Sequence, residues 1–190
     1  MISLDKIEIF QGSVCPEEAQ YLAFLASQTK GNAIVEIGSW RGKSAVALAA
    51  GACKQESSKP VMVYCIDPHS PFKGVYGGNF GSADRKHFYQ TMLQAECTAN
   101  VALVNLPSLQ AAKGWSVPIG MLFIDGDHTE ASVQKDIDAW LPHVVENGFV
   151  VFDDAKDKNI GPYHVVERMI ANGSLKFSDD VGKTITLTKS

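Results

Sequence analysis

The sequence lacks the features of several protein classes. No apolar run approaches the ~20 residues that a membrane-spanning helix needs, and the N-terminus has acidic residues where a signal peptide needs a basic start. It has no basic excess: 17 Lys and Arg stand against 21 Asp and Glu, which argues against a nucleic-acid binder. The four cysteines form no CxxC pair and no zinc spacing, which is typical of reduced thiols. We therefore expect a cytoplasmic protein that binds neither membrane nor nucleic acid.

The sequence does contain a regular alternation of short apolar runs with helical patterns. The runs are rich in β-branched and aromatic residues, and the first five are apolar throughout, as in strands buried on both faces of a parallel sheet. The alternation predicts a Rossmann-like, doubly wound α/β fold, with a mostly parallel seven-stranded sheet that ends in a C-terminal antiparallel hairpin. The predicted strands are 32–37, 61–66, 101–104, 121–124, 149–152, 175–178 and 184–187. The predicted helices are 16–30, 44–52, 84–97, 130–141 and 163–171.

The length of 190 residues suits a single domain with a full-sized core. We assign residues 1–190 to one domain with a helical N-terminal segment at 1–31. Residues 68–82 have no clear periodicity and carry three aromatic residues among glycines; loops of this length are usually functional lids or disordered. The aromatic residues favour a lid over the substrate. The segment 1–11 could pair across a homodimer.

The first predicted strand runs into a glycine-rich turn at residues 36–44 (EIGSWRGKS). Gly38 would let the backbone approach a ligand closely, and Gly42 would let the next helix pack near the strand. Trp40 stands where a dinucleotide fingerprint has its middle glycine, which weakens a nicotinamide interpretation because a pyrophosphate needs bare backbone amides. Asp67, after the second strand, is placed to accept both hydroxyls of a ribose. The two strand ends together predict a nucleoside site without a phosphate.

Four carboxylates follow the fourth and fifth predicted strands: Asp125, Asp127, Asp153 and Asp154. Neighbouring parallel strands would gather them at one edge of the sheet, where like charges repel unless a cation lies among them. Oxygen ligands favour a hard divalent cation such as Mg²⁺. The simpler alternative is that Asp127 caps a helix and the others are solvated. The number of acids favours the metal site, because a cap does not need so many.

Together these residues resemble the class I S-adenosylmethionine-dependent methyltransferases. More narrowly, they are similar to the metal-dependent O-methyltransferases related to the catechol, caffeoyl-CoA and macrolide- or aminocoumarin-sugar enzymes. The resemblance covers roughly residues 30–155 and implies methyl transfer from S-adenosylmethionine to a hydroxyl of a small molecule. It implies Mg²⁺ or a similar cation on Asp125, Asp153 and Asp154. It implies a cofactor site made of Glu36, Gly38, Ser39, Trp40, Gly42, Ser44, Asp67 and Ser108.

The resemblance leaves the general base open between two neighbouring residues. The sugar-modifying enzymes have their base at the position of Asp127, whereas the catechol enzymes have a lysine at the position of His128. His128 has the better unperturbed pKa near neutrality, but Asp127 matches the family, and we favour Asp127.

Three other functions are alternatives to methyl transfer. A non-catalytic S-adenosylmethionine-binding protein would keep the same acids without turnover. A haloacid-dehalogenase-type phosphatase would use Asp125 and Asp127 in a D-x-D-x-T motif, but its nucleophile strand comes early in that fold. A nicotinamide-dependent oxidoreductase would need the missing glycine.

Overall fold

The computed structural model describes residues 4–30, 32–55 and 61–190, which form a seven-stranded sheet with helices on both faces. The helices are α1 (Pro16–Ser27), α2 (Lys43–Ala52), α3 (Ser82–Gln94), α4 (Ser108–Lys113), α5 (Glu130–Trp140) and α6 (Gly161–Ala171). The strands are β1 (Ala33–Ile37), β2 (Val63–Ile66), β3 (Phe72–Lys73), β4 (Asn79–Phe80), β5 (Val101–Val104), β6 (Ile119–Ile124), β7 (Val144–Phe152), β8 (Leu175–Val181) and β9 (Thr184–Lys189). None of the helices in these ranges is long and apolar enough to cross a membrane.

The strand order in the large sheet is β5-β2-β1-β6-β7-β9-β8. The first five of these pair in parallel, whereas β9 pairs antiparallel with both β7 and β8. The predicted fold class is thereby confirmed. Because the chain winds outward in opposite directions from β1, a crevice opens at the carboxyl ends of β1 and β6, where doubly wound sheets bind their ligands.

Two apolar cores lie on the two faces of the sheet. Helices α1, α2 and α3 cover one face, and α4, α5 and α6 cover the other. All residues of β1 and β6 are buried, which explains why these segments are apolar apart from Glu36 and do not alternate. The alanine-rich helix α2 is buried over its whole length, and its small side chains let it pack closely on both the sheet and α1.

The closest approach of α2 to α1 depends on Gly51. A Cβ at this position would collide with the carbonyl oxygen of Ala23. We expect Gly51→Ala to lower the free energy of unfolding by about 2 kcal/mol, because the two helix backbones would have to separate. Urea unfolding measures the change, with Gly114→Ala as the control, since no atom lies near a Cβ there. Equal stability of the two variants would contradict this account of the helix contact.

Several element bounds differ from the predicted ones for local reasons. Helix α3 begins at Ser82 because the Asp84 carboxylate accepts a hydrogen bond from the Gly81 amide (2.9 Å) and so caps the first turn. Helix α4 was not predicted, since six residues are too few to show a period. Strand β7 starts five residues before the predicted 149, in a stretch that is partly exposed and polar.

The N-terminal segment packs against its own chain. Residues Leu4–Ile9 form a 3-10 helix, and Ile7 and Phe10 are buried in the core beside α1 and α2. The homodimer that we predicted through residues 1–11 is not tested by this contact. Residues 1–3 of that segment lie outside the described ranges.

Candidate active site

A cavity of about 620 Å³ opens at the carboxyl ends of β1, β2 and β6. This volume is typical of small-molecule sites. Two predicted site residues, Glu36 and Asp153, do not line it and are fully buried. The predicted site residues that line it are Gly38, Ser39, Trp40, Gly42, Ser44, Asp67, Ser108, Asp125, Asp127, His128 and Asp154.

The glycine-rich turn is held by Asp67. Its Oδ2 accepts hydrogen bonds from the backbone amides of Ser39 (3.1 Å) and Trp40 (2.9 Å), and its Oδ1 accepts one from the amide of His69 (2.7 Å). The buried His69 ring also bonds the Trp40 carbonyl through Nε2 (2.8 Å). A carboxylate can accept about four hydrogen bonds, so Asp67 retains capacity for a ligand on the cavity side. Sequence reasoning missed the structural role of Asp67 and missed His69 entirely.

The two glycines of the turn make close contacts that the sequence did not predict. Gly38 has φ +84°, and a Cβ there would collide with the backbone carbonyl of Asp125. The glycine therefore lets β1 and β6 meet, and it also lines the cavity. Gly42 has φ +87°, and a Cβ there would lie 2.7 Å from Met92 Cε and 3.0 Å from Phe88 Cδ2. It makes room for α3 and not for the strand.

Glu36 lies on the face of β1 that α2 covers. Burial raises its pKa to about 7; the nearby Ser44 hydroxyl and Cys65 thiol lower it, and the charge of Asp67 raises it. Neither carboxylate oxygen has a hydrogen bond of good geometry. Near neutral pH, the protonated and ionised forms of Glu36 are therefore both populated in the folded protein.

Three carboxylates form an acidic cluster, which we define as Asp125, Asp153 and Asp154. The parallel register of β6 and β7 pairs Ile124 with Phe152, which brings the residues that follow these two side by side. Burial, and then the charge of Asp153, raise the pKa of Asp125 well above its ordinary value. Burial also raises the pKa of Asp153, whereas the ammonium of Lys183 lowers it.

Lys183 supplies an internal cation to this cluster. Its Nζ lies 2.5 Å from Asp153 Oδ2 and 3.1 Å from Asp154 Oδ1. The cation expected among the carboxylates is therefore supplied by a lysine of the chain, so their repulsion does not by itself require a metal. Topology could have revealed the residue: β9 runs antiparallel to β7, with Ile185 opposite Phe152, so the turn before β9 must lie beside the acids after β7.

His128 and Asp127 face different partners. His128 Nε2 lies 3.7 Å from Asp125 Oδ1 and 3.5 Å from Asp154 Oδ2, and within the described part of the chain it has no hydrogen-bond partner. Both oxygens of Asp127 accept hydrogen bonds at the start of α5, from the Thr129 amide (3.1 Å) and hydroxyl (3.2 Å) and from the Ser132 hydroxyl (2.9 Å). Asp127 thus makes the helix-capping contacts that were the alternative to a role in the acidic site, although it also lines the cavity.

The donor set of the cluster fits a divalent cation. Ligand atoms of Asp125, His128 and Asp153 all lie within 4.8 Å of one another. Asp153 Oδ1 and His128 Nε2 are buried and lack partners, so each could donate a lone pair without breaking a hydrogen bond. Asp154, predicted as a third ligand, is outside this group and instead contacts Lys183 and His128.

A hydrogen-bonded chain that the sequence did not suggest lies beside Gly126, where a Cβ would come within 3.9 Å of Asp136 Oδ2. The Ser108 hydroxyl donates to Asp136 (2.6 Å) and accepts from the indole N–H of Trp140 (2.9 Å). Burial raises the pKa of Asp136 to about 6, and the Ser108 hydrogen bond lowers it. Ser108 and Asp136 both line the cavity. The sequence predicted Ser108 as a cofactor-binding residue but did not predict the carboxylate of Asp136.

The predicted lid region folds into a small hairpin beside the cavity. Strands β3 and β4 pair antiparallel, and the rings of Phe72 and Phe80 stack with centroids 4.7 Å apart. Trp40 of the glycine-rich turn meets Phe80 edge-on at 5.6 Å. The Tyr76 hydroxyl donates to Asp157 (2.8 Å) and so ties the hairpin to the segment after β7.

Comparison with solved structures finds the same fold in O-methyltransferases. The O-methyltransferase of Bacillus cereus, solved with S-adenosylhomocysteine, is 17% identical with a TM-score of 0.69, covering 98% of this chain and 90% of that one. TomG of Streptomyces achromogenes, involved in tomaymycin synthesis and solved with S-adenosylmethionine, is 17% identical with a TM-score of 0.65, covering 94% and 82%. NovP, also an O-methyltransferase, is 13% identical with a TM-score of 0.72, covering 90% and 79%.

A family comparison gives the wider assignment. The family described as "Methyltransferase domain" matches residues 35–155, which include the glycine-rich turn, Asp67 and the whole acidic cluster. The match covers most of the chain and extends over nearly the same residues as the resemblance seen in the sequence. The chain therefore belongs to the methyltransferase domain family.

Proposed function

We propose that this protein transfers a methyl group from S-adenosylmethionine to a hydroxyl of a small molecule, with the help of a divalent cation. The observation that carries the proposal is that one cavity is bordered by both Asp67 of the nucleoside region and the carboxylates that follow β6 and β7. A methyl donor and a hydroxyl held at these two places would be neighbours, and such positioning supplies much of the rate enhancement in group transfer.

The residues around the glycine-rich turn would bind the donor. Asp67 would accept hydrogen bonds from the ribose hydroxyls, and Ser108 would contact the adenine end of the cavity. The Ser39 hydroxyl lines the cavity, is buried and has no hydrogen-bond partner, as expected of a group that bonds a polar ligand. When bound, S-adenosylmethionine supplies an electrophilic methyl group.

The carboxylates of the acidic cluster would hold the cation. We assign this role to Asp125, Asp153 and Asp154 because Mg²⁺ and similar hard cations prefer oxygen ligands. When bound, the cation lowers the pKa of a coordinated hydroxyl. This assignment leaves the imidazole of His128 available for a proton.

We infer that His128, and not Asp127, accepts the proton of the substrate hydroxyl. Its Nε2 has no hydrogen-bond partner, whereas both oxygens of Asp127 already accept hydrogen bonds from Thr129 and Ser132. The carboxylates of Asp125 and Asp154, within 3.7 Å of Nε2, would offset the charge that the ring gains with the proton. The inference departs from the sequence preference for Asp127.

Cofactor binding is tested by Asp67→Ala. We expect the affinity for S-adenosylmethionine to fall by about 10- to 100-fold, because one or two charge-assisted hydrogen bonds are lost. Isothermal titration calorimetry measures the affinity, and urea unfolding shows whether the variant is folded despite losing the bonds that hold the turn. Asp138→Ala is the control, because this exposed carboxylate on α5 accepts a hydrogen bond from Gln134 and does not line the cavity. Unchanged affinity in folded Asp67→Ala would place the ribose elsewhere.

A non-catalytic binding protein is distinguished by turnover. Radiolabelled S-adenosylmethionine, Mg²⁺ and a panel of phenols and sugars with free hydroxyls provide the assay. Transfer of label to any of these acceptors supports the proposal. Tight binding with no transfer to any acceptor class would favour the binding protein.

A further inference from the structure

The Lys183 side chain lies between two acids that we assign to a metal. It contacts Asp153 Oδ2 at 2.5 Å and Asp154 Oδ1 at 3.1 Å, yet 28% of its surface is still exposed. Asp153 is fully buried and Asp154 is partly buried, so the ammonium compensates charges that water reaches poorly. A lysine in this place does part of what a bound cation would do.

The backbone of Lys183 is fixed, whereas its side chain is long and flexible. The Lys183 amide donates to Glu18 Oε1 of α1 at 2.9 Å, and the Thr184 hydroxyl donates to the Val181 carbonyl at 2.8 Å. The turn between β8 and β9 is therefore anchored to the first helix. The four-carbon stem of a lysine can still rotate its ammonium away without moving that turn.

One ammonium compensates the acidic cluster incompletely. Among the described residues, three carboxylates face a single ammonium, and Asp153 Oδ1 and His128 Nε2 have no hydrogen-bond partner. A divalent cation carries twice the charge and could engage Asp153 Oδ1 as well, which leaves His128 Nε2 for the proton. It could not occupy the cluster together with the ammonium, since Lys183 already contacts Asp153 and Asp154 and the two cations would repel each other.

We propose that Lys183 is an exchangeable counter-ion, which occupies the acidic cluster in the metal-free protein and withdraws when a divalent cation binds. Metal binding is then an exchange of one cation for another. Lys183 both stabilises the metal-free fold and weakens the apparent metal affinity. The inference depends on the metal site of the proposed function but not on S-adenosylmethionine binding or on the identity of the acceptor.

The test compares Mn²⁺ binding to the wild type and to Lys183→Met, which removes the charge and keeps most of the stem. By calorimetry, we expect Lys183→Met to bind Mn²⁺ about tenfold more tightly or better, since no ion pair has to be broken. The metal-free variant should melt at a lower temperature than the wild type and regain stability when Mn²⁺ is added. A residue with a merely structural role would not raise metal affinity when it is removed.

Two further variants complete the design. Lys156→Met removes a lysine that pairs with Asp180 of β8 at 3.2 Å, outside the cluster, and should leave Mn²⁺ affinity unchanged. Lys183→Gln keeps a hydrogen-bond donor for Asp153 and gives the same expectation as Lys183→Met if the methionine variant does not fold. Equal or weaker Mn²⁺ binding by the Lys183 variants than by the wild type overturns the proposal.

The outcome also separates this inference from the proposed function. Tighter Mn²⁺ binding by Lys183→Met supports the exchange even if S-adenosylmethionine does not bind, and in that case only the proposed function fails. Absence of Mn²⁺ binding in both proteins overturns the exchange, whereas S-adenosylmethionine binding can still be measured on its own.

Discussion

Asp153→Asn is expected to reduce methyl transfer about a thousandfold, because a coordinated cation contributes several kcal/mol to the reaction and each 1.4 kcal/mol is a factor of ten. Asp153 is fully buried and contacts Lys183, and its Oδ1 is free for a ligand. The substitution removes the negative charge and replaces one of the two oxygens with an amide nitrogen, which is not a metal ligand. The shape of the side chain does not change. Affinity for S-adenosylmethionine should survive, since Asp153 does not line the cavity.

The measurement is initial rate with saturating S-adenosylmethionine and Mg²⁺, together with calorimetric affinity for the donor. Asp138→Asn, an exposed acid on α5, is the matched control and should keep the wild-type rate. Full activity of Asp153→Asn would remove the metal from the mechanism. Retained activity of the wild type in excess chelator would lead to the same conclusion by an independent route.

Glu36→Gln is expected to stabilise the protein at alkaline pH. Burial raises the pKa of Glu36 from its ordinary 4.5 to about 7, so the folded state holds this proton more tightly than the unfolded state does. The stability that the proton provides is present in full below about pH 4.5 and is lost as the pH rises through about 7. Glutamine cannot ionise, so above that pH the variant should be more stable by about 3 kcal/mol.

Urea unfolding of both proteins at about pH 4.5, 6 and 8 provides the test. The stability difference between them should be small at the lowest pH and grow at the highest. Asp136 and Asp153 also have raised pKa values, and their contributions cancel in the difference because both proteins contain these residues. The charge of Glu36 helps to raise the pKa of Asp125, so a part of the difference comes from Asp125. A difference that does not change with pH would mean that Glu36 ionises in the folded state as readily as in the unfolded chain.

The fold could be predicted because its central strands are uniformly apolar. Both faces of β1 and β6 are covered, so every residue had to be apolar or, at Glu36, to accept a buried acid. Short elements gave no comparable signal. Helix α4 and the hairpin of β3 and β4 are set by tertiary packing and by the stacked rings of Phe72 and Phe80, which no local period encodes.

The sequence predicted the location of the candidate site better than it predicted the contacts within the site. Strand ends brought Asp67 and Asp125 to one cavity, as the pattern of the sequence indicates. The contributions of Lys183 and Asp136 depend on strand register and helix packing across large separations in the chain. The contacts of Gly38 with the Asp125 backbone and of Gly42 with α3 were not predicted, since a sequence does not show which backbone or side chain passes beside a glycine.

The anchoring of the last turn to the first helix has a consequence for biosynthesis. Glu18 and Lys183 are 165 residues apart, so this contact can form only after both of these residues have left the ribosome. Until then the acids after β7 lack their internal counter-ion, and the last two strands are absent from the edge of the sheet. Such long-range closure makes folding slow relative to a helical protein of the same size. A nascent chain that stops before β9 would therefore expose the edge of β7 and an uncompensated group of carboxylates, both of which a quality-control system can recognise.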